Sequence, residues 1–570
     1  MVALSMADGY ARLSGQPQCV IGHVDVGTQG LGAAVHNASC GRCPVLIFAG
    51  LSPLTDQGEY RGSRTEYIHW IQDVPDQKAI VSQYCRYTAE IKTGRNVKQM
   101  VARAVQFATS APQGPVYLCG AREVMEEEIP EYSLRREKWG PVGPGALPEQ
   151  AVEEVVNALV DAEEPLVITG YSGRNHDSPA QLVALADSIP GLRVLDTGGS
   201  DMCFPATHHA SLGLRYGVDA AIPTADMILV LDCDVPWIPT QNAPKPTAKV
   251  YHIDIDPLKQ QMPVGWIESH GTWRADSFTA LRQLNTHIAS SPHHLQRLSS
   301  EPYSLRCTRL SESYTAHQAK IQALAVPNPN TSITTSYLTS RLRALLPPDT
   351  IFAIEAVTNS AFVADALLPS LPGTWLNCGG GGLGWSGGAA LGIKLAAGAS
   401  RFVCQIVADG TFLFSVPGSV YWIAQRYKLP VLTIVLNNNG WHAPRRSLLL
   451  VHPEGAGSRA SDEALGISFE PCPDYAGIAV AAAGGRAWGG KAEGVGDLER
   501  LLGEAIGVVE GGVGAVLDCV LNAPVGVGKG GAEGKVVGQG AANGEVKEKG
   551  DDVLEEGAEE RGGGKAVLVG

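Results

Sequence analysis

The sequence predicts an α/β protein of three doubly wound parallel-sheet domains. Its 570 residues give room for about three or four domains of ordinary size. Short apolar runs that fit buried strands alternate with stretches of helical spacing, which is the pattern of parallel βαβ units. The clearest unit is residues 402–441, where two apolar runs flank a helical segment. This unit defines the fold class, and the rest of the chain is interpreted around it.

Composition excludes several classes of function. Hydrophobic residues make up 44% of the chain, and the formal net charge of −14 argues against a nucleic-acid surface or attraction to a membrane. No uninterrupted apolar run is long enough to span a bilayer. The 12 cysteines are too scattered for a disulfide framework, and the isolated pair Cys40 and Cys43 is more simply coincidence than a redox or zinc site. We expect a cytoplasmic protein, or a mitochondrial one if a transit peptide precedes Met1.

The first domain is predicted over residues 1–130. Helical spacing over residues 1–15, without a positively charged lead, argues against a signal peptide. The turn Gly27–Gly32 opens a second helix. The remaining predicted elements are the strands Cys19–Gly22, Pro44–Gly50 and Gly114–Leu118, and the helix Val97–Ala108.

A central domain is predicted over residues 147–290 and a helical linker over 291–332. The glycine turn Gly170–Arg174 follows a predicted strand, but alone it is too weak a signal for a nucleotide site. The predicted strands are Pro165–Gly170, Arg193–Asp196, Met227–Asp232 and Val250–Asp254.

The third domain is predicted over residues 333–522, followed by a disordered, glycine-rich tail over 523–570. A strand at Ile351–Ile354 precedes Thr358, Asn359 and Ser360, which are placed to cap a helix near bound phosphate or pyrimidine. The run Gly379–Gly384 contains a GxGxxG pattern, a weak dinucleotide signal because no acidic residue follows a second strand at the expected spacing.

Polar residues follow both strands of the unit at 402–441. Asp409, Gly410 and Thr411 follow the first apolar run, and 437–440 reads Asn-Asn-Asn-Gly after the second. The carboxyl ends of parallel strands meet at one edge of a sheet, where open α/β sheets bind ligands. A carboxylate and an amide oxygen are hard ligands, and such a small oxygen set suits Mg²⁺.

The spacing of these residues resembles a known fingerprint. Between Gly410 and Asn437 lie 26 residues, and this resembles the Gly-Asp-Gly to Asn-Asn motif of thiamine-diphosphate-dependent enzymes of the acetolactate synthase, benzoylformate decarboxylase and pyruvate decarboxylase type. The one departure is Ala408 in place of the first glycine. The resemblance implies that Asp409, the side chain of Asn438 and the carbonyl of Gly440 hold Mg²⁺ against the diphosphate.

The resemblance also implies the domain roles and cofactor contacts. The domains would be pyrimidine-binding, central Rossmann-like and diphosphate-binding, in that order. Leu383 would prop thiamine diphosphate into a bent shape, and the backbone of Gly381 and Leu383 would hydrogen-bond the pyrimidine. Acetolactate synthase carries FAD in the central domain, which leaves FAD open here without a supporting motif. The other implied cofactor contacts are Thr358, Asn359, Ser360, Gly410 and Thr411.

Catalytic residues are less defined. His442 could protonate a carbanion, and the family's loop that contains His69 and Gln72 in this chain reaches the neighbouring subunit's pocket. The family's activating glutamate lies just before the segment that Met1 begins. We therefore expect an N-terminally truncated chain with little activity as written.

The resemblance predicts a thiamine-diphosphate- and Mg²⁺-dependent lyase or transferase that decarboxylates 2-oxo acids and either releases an aldehyde or joins the product to a second carbonyl. A homodimer or homotetramer is implied. The alternative is a non-catalytic or truncated thiamine-diphosphate-binding homologue without the activating glutamate.

Overall fold

The computed structural model describes residues 1–327 and 333–521. It contains three sheets of parallel strands, which confirms the predicted fold class of three α/β domains. The tail predicted at 523–570 and the end of the linker predicted at 291–332 lie outside the described residues. The domain boundaries themselves stay predictions.

The first sheet has four strands in the order β1-β2-β4-β3. Its interior strand β4 is buried along its whole length, as expected for a parallel strand that is covered on both faces. The strands are β1 (Gln18–Gly22), β2 (Val45–Leu51), β3 (Tyr87–Ile91) and β4 (Val116–Ala121). The helices are α1 (Val2–Ser14), α2 (Val24–Gln29), α3 (Gly32–Cys40), α4 (Ile68–Ile71), α5 (Val97–Thr109) and α6 (Arg122–Met125).

The central sheet has six strands in the order β10-β9-β8-β5-β6-β7. Its strands are β5 (Pro165–Thr169), β6 (Arg193–Asp196), β7 (Ser211–Leu214), β8 (Met227–Leu231), β9 (Lys249–Asp254) and β10 (Gly271–Arg274). The helices of this part of the chain are α7 (Glu149–Asp161), α8 (Ser178–Ser188), α9 (Ala221–Thr224) and α10 (Ser277–Ser290). The helices α11 (Pro292–Leu298) and α12 (Glu301–Leu324) lead to the third domain.

The third sheet has six strands in the order β12-β11-β13-β14-β16-β15. Its strands are β11 (Ile351–Glu355), β12 (Trp375–Asn377), β13 (Val403–Ala408), β14 (Leu432–Asn437), β15 (Trp488–Ala492) and β16 (Ala515–Val520). The helices are α13 (Thr335–Leu345), α14 (Ser360–Leu367), α15 (Trp385–Ala397), α16 (Asp409–Phe414), α17 (Pro417–Tyr427), α18 (His442–Val451), α19 (Tyr475–Ala482) and α20 (Val495–Glu510).

The strand order places a ligand crevice in the third domain. The chain moves from β11 outward to β12 and from β13 in the opposite direction to β14, so the order reverses between β11 and β13. Open α/β sheets bind ligands at the carboxyl edge of such a switch point. Glu355 ends β11 and Asp409 follows β13, so both lie at this edge.

Helix α1 of the first domain packs along α15 of the third, and this contact joins the two domains. In residues 1–327 and 333–521, no helix combines the length and apolar character that a membrane crossing needs.

Candidate functional site

Asp409 lies at the centre of a backbone cradle. Its Oδ2 accepts the N–H groups of Asn438 and Gly440 at 3.1 and 3.2 Å, and its Oδ1 accepts that of Gly410 at 2.7 Å. Burial raises the pKa of this carboxyl above its ordinary value, although the three N–H groups oppose the shift. The Asp409 carboxylate is thus buried, and its hydrogen-bond donors among the described residues are backbone N–H groups and not cationic side chains.

Three oxygen atoms converge beside this cradle. The Asn438 side-chain oxygen, as placed, lies 3.1 Å from the Gly440 carbonyl and 3.1 Å from Asp409 Oδ2. Turning the amide would let its NH₂ group donate to both oxygens. In the first orientation, the Asn438 oxygen lies from each of the other two oxygens at close to the roughly 3 Å spacing of neighbouring ligands in an octahedron with Mg²⁺–O distances of about 2.1 Å.

The donor set fits a hard cation better than a transition metal. It combines one carboxylate, one amide oxygen and one backbone carbonyl, the oxygen chemistry that Mg²⁺ prefers. No group of three or more His, Cys, Asp or Glu side chains in the described part of the chain could hold a metal, so a zinc-type or carboxylate-rich centre is not formed there. Asp409, Asn438 and Gly440 are thus brought together as predicted.

Trp441 and His442 shape the loop after β14. The Trp441 indole lies over Gly410 so closely that a Cβ there would be 2.4 Å from the ring, which explains the glycine. His442 is buried, and its Nε2 donates to the Asn438 carbonyl at 3.0 Å. This contact braces the loop, a role that the sequence did not predict for His442. Thr411 is also buried, and its hydroxyl finds no hydrogen-bond partner among the described residues.

The turn at residues 379–384 closes the other side of the crevice. Glu355 holds its far end, because its carboxylate accepts the backbone N–H groups of Gly384, Trp385 and Ser386 at 3.0, 3.2 and 2.7 Å. Leu383 is half-buried and Gly381 is exposed, so both are accessible to a ligand. This role of Glu355 was not predicted from the sequence, where its one signal was a lone carboxylate at a strand end ahead of a glycine run.

The predicted cap at 358–360 is built differently from the expectation. Asn359 is buried, and its side-chain oxygen accepts a hydrogen bond from the hydroxyl of Thr335 at 3.1 Å. This amide therefore makes a contact within the third domain. Ser360 is buried at the start of α14, while Thr358 is half-exposed. Residues 357–359 also contact α18, which places them beside the His442 loop.

His69 and Gln72 belong to a loop of the first domain. The backbone N–H of Thr65 donates to His69 Nδ1 at 3.2 Å, and Gln72 is the buried residue that follows α4. These contacts lie within the loop itself and do not include Asp409 or its neighbours. The role of both residues stays a prediction.

The carboxyl edge of the central sheet is occupied by an arginine from the first domain. Arg42, in the left-handed backbone region at φ 49°, pairs with Asp232 at 2.5 Å and Asp234 at 2.7 Å. Its guanidinium also lies 4.1 Å from the centre of the Tyr171 ring. Lys259 pairs with Asp234 at 2.9 Å and with Asp254 at 2.5 Å. The edge is therefore filled by two basic side chains that pair with three carboxylates.

Both cysteines of the isolated pair are free thiols. Cys40 is partly exposed and lies beside His36, whereas Cys43 is buried and donates to the Asp8 carbonyl at 3.6 Å.

Comparison with known proteins matches all three domains to one family. The models described as the N-terminal TPP binding domain, the central domain and the C-terminal TPP binding domain of thiamine pyrophosphate enzymes match residues 1–80, 152–262 and 356–519. Together these segments make up more than half of the chain.

Individual relatives have low sequence identity to this chain, but they align over most of its length. A probable 2-ketoarginine decarboxylase of Pseudomonas aeruginosa is 23% identical, with 81% of this chain and 78% of the relative aligned. The acetolactate synthase large subunit of Haemophilus influenzae is 24% identical, over 77% of this chain and 74% of the relative. A solved thiamine diphosphate-dependent 4-hydroxybenzoylformate decarboxylase of Rhodococcus jostii has the same fold, with a TM-score of 0.70, 19% identity and coverage of 91% and 90%.

Proposed function

The chain belongs to the thiamine pyrophosphate enzyme family, and we propose that it is a 2-oxo-acid decarboxylase or carboligase that uses thiamine diphosphate and Mg²⁺. The observation that carries this proposal is the convergence of Asn438, Gly440 and Asp409 oxygens at 3.1 Å beside an accessible glycine turn. When bound, thiamine diphosphate supplies the nucleophile and electron sink for decarboxylation, and the protein supplies binding and orientation.

The residues of the crevice divide this work. Asp409, Asn438 and the Gly440 carbonyl would hold Mg²⁺, and His442 keeps the Asn438 carbonyl in place. Gly381 and Leu383 would receive the pyrimidine, because their backbone and side chain are accessible at the turn. Glu355 fixes the end of that turn through three backbone N–H groups. The indole of Trp441 covers Gly410 and limits water at the metal cradle.

Apolar side chains near the site support assembly of two copies. Phe414 is 56% exposed and Val416 is 44% exposed beside the cradle. In the first domain, the loop with His69 presents Tyr67 at 81% and Trp70 at 49% exposure. Patches of this kind commonly mark interfaces, and their arrangement supports a homo-oligomer in which this loop approaches another copy's crevice.

The central domain does not fit FAD. In doubly wound domains, a dinucleotide diphosphate lies against the glycine turn at the switch point. Here a Cβ on Gly173 would be 2.2 Å from the Met202 carbonyl, so that glycine serves contact with protein backbone rather than with a ligand. Arg42 and the carboxylates of Asp232 and Asp254 occupy the remaining edge.

The adjoining cavity is also small. Its volume is about 290 Å³, and Arg42, Tyr171 and Arg174 line it. Pockets for small molecules usually measure about 300–1,000 Å³, and a flavin dinucleotide needs the upper part of that range. The size and lining of this cavity support an enzyme that works without flavin.

Isothermal titration calorimetry tests the proposed function. Wild-type protein should bind thiamine diphosphate with an affinity that depends on Mg²⁺, and Asp409→Asn should weaken that binding by more than about tenfold, because even residues that only support metal ligands contribute 10- to 100-fold. Asp497→Asn, a change at a half-exposed carboxylate on α20, is the matched control. Undiminished binding in Asp409→Asn would overturn the assignment of the metal site.

Turnover is tested separately. Release of CO₂ from a panel of 2-oxo acids that includes 2-ketoarginine and 4-hydroxybenzoylformate should require both thiamine diphosphate and Mg²⁺. Binding without CO₂ release from any of these acids would favour a non-catalytic cofactor-binding protein.

A further inference from the structure

The pyrimidine turn is held by helix α3 of the first domain. The Asn37 side chain pairs with both peptide groups of Gly382: its Nδ2 donates to the carbonyl at 2.6 Å, and its Oδ1 accepts the N–H at 3.0 Å. The neighbouring residue, His36, accepts the N–H of Gly381 on its Nε2 at 3.1 Å. Two successive side chains of α3 therefore determine the backbone position of two successive glycines.

The space around the turn shows which part remains open. A Cβ on Gly380 would lie 2.8 Å from His36 Nε2, and one on Gly382 would lie 2.6 Å from the Ala33 carbonyl. At Gly381 the nearest atom would be His36 Nε2 at 4.0 Å. Helix α3 thus fills one side of the turn and leaves Gly381 facing outward, where the proposed cofactor contact lies.

The hydrogen bond to Gly381 requires neutral His36. An imidazole nitrogen accepts a hydrogen bond only when it carries no proton, so Nδ1 must hold the proton. The titratable groups that face His36 are Cys40 on its own helix, with Sγ 3.7 Å from Nδ1, and Tyr84, whose ring centre is 5.6 Å away. Cys378 begins the turn, and its thiol donates to the Gly380 carbonyl at 3.2 Å. None of these contacts replaces the acceptor at Gly381.

We propose that His36 is a positioning residue for thiamine diphosphate: its imidazole Nε2 accepts the Gly381 N–H and so holds the Gly381 backbone in the orientation that receives the pyrimidine. This inference rests on the proposed function of the same site. It adds His36 to the residues that support the cofactor. The contact runs from the first domain to the third domain of the same chain.

Hydrogen–deuterium exchange of the cofactor-free protein tests the contact directly. In His36→Leu, exchange in the peptide that contains residues 379–384 should be about three- to tenfold faster, which is the scale of one hydrogen bond. In His36→Gln, which keeps an acceptor oxygen, exchange should stay near that of wild type. His293→Leu, at an exposed histidine on α11, is the control.

The same variants are then titrated with thiamine diphosphate and Mg²⁺ by calorimetry. His36→Leu should bind about three- to tenfold more weakly than wild type, and His36→Gln should bind within about twofold of it. If His36→Leu does not fold, His36→Ala takes its place in both measurements. Equal exchange and affinity in wild type and His36→Leu would overturn the inference, as would equal losses in the Leu and Gln variants. Absence of binding by wild type would instead overturn the proposed function.

Discussion

The carboxylate of Glu355 accepts a 2.7 Å hydrogen bond from the backbone N–H of Ser386, the second residue of α15. With its bonds to Gly384 and Trp385, it satisfies three N–H groups at the start of that helix. A carboxylate is favoured there by both the free N–H groups and the helix dipole. The side chain thereby joins the end of β11 to the end of the pyrimidine turn.

Glu355 should give the protein a distinct pH dependence. Burial raises its pKa from 4.5 to about 7, although the three N–H groups oppose the shift. The folded state therefore holds this proton more tightly than the unfolded chain, so the free energy of unfolding should fall as pH rises from 4.5 to about 7. Thermal unfolding across this range should show a decline in wild type that is reduced in Glu355→Gln.

The comparison between the two curves isolates Glu355 from other buried carboxyls, which titrate in both proteins. Glu454→Gln, at an exposed position, should follow the wild-type curve. Parallel curves for wild type and Glu355→Gln would show that the carboxyl is ionised throughout the range.

Asp201 should be a large contributor to stability, because it joins all three domains. It accepts Arg12 Nη2 at 3.2 Å and Arg174 Nη2 at 2.8 Å, and Arg12 also donates to the Asn377 carbonyl at 2.7 Å. Asp201→Asn would remove the buried carboxylate that both guanidinium groups share, and breaking a buried ion pair typically costs about 3–5 kcal/mol. The urea midpoint of unfolding at neutral pH should therefore fall clearly below that of the exposed control, Asp177→Asn.

The sign of the pH effect at Asp201 is opposite to that at Glu355. Burial alone would raise the pKa of Asp201, but Arg12 and Arg174 outweigh it and lower the pKa from 3.8 to about 2. Its stabilisation is fully present above pH 3.8 and is lost as pH falls through about 2. A midpoint unchanged by Asp201→Asn at neutral pH would contradict the interdomain role.

Local sequence patterns were sufficient to predict that Asp409 and Asn438 meet at one edge of the sheet. The runs before Asp409 and Asn438 form β13 and β14, neighbours in the sheet, so two polar segments far apart in sequence meet at one edge. The predicted strand Arg193–Asp196 is also observed with the same bounds. In β13 and β14, burial on both faces produces a continuous apolar run that sequence alone reveals.

Two edge strands, β15 and β3, and the long-range contacts were not predictable in this way. Strand β15 at the sheet edge contains two glycines and alternates between partial burial and exposure, so no apolar run marks it. Strand β3 is mostly half-buried, for the same reason of position. The contact of His36 with Gly381 joins residues 345 positions apart, and only the packing of α3 against the turn determines it.

Arg42 should keep FAD out of the central domain. Titration of the purified protein with FAD should produce no change in flavin fluorescence. Arg42→Ala should still not bind FAD, because the carboxylate of Asp232 would then face the diphosphate without its arginine partner. It should also lower the urea midpoint, since it leaves buried carboxylates with Lys259 as their remaining cation.

Arg282→Ala, at a position on α10 outside this ion network, is the control for loss of a basic side chain. Binding of stoichiometric FAD by the wild-type protein would show that the carboxyl edge of the central sheet opens in solution. That result would contradict the conclusion that the central domain does not fit FAD.

Leu383 provides the last prediction, because its effects on folding and on binding should separate. It is half-buried in the cofactor-free chain, so Leu383→Ala should change the free energy of unfolding by less than about 1 kcal/mol. If its side chain packs under the bound cofactor, the same change should weaken thiamine diphosphate binding by about tenfold or more, at roughly 0.8 kcal/mol for each buried methylene-sized group removed. Leu383→Met should retain most of the affinity, since it conserves volume.

Calorimetry measures the affinity, and urea unfolding measures the stability. Leu371→Ala, at a leucine with 44% exposure in the same domain, should change neither. Equal affinities of Leu383→Ala and wild type would mean that the leucine does not touch the cofactor.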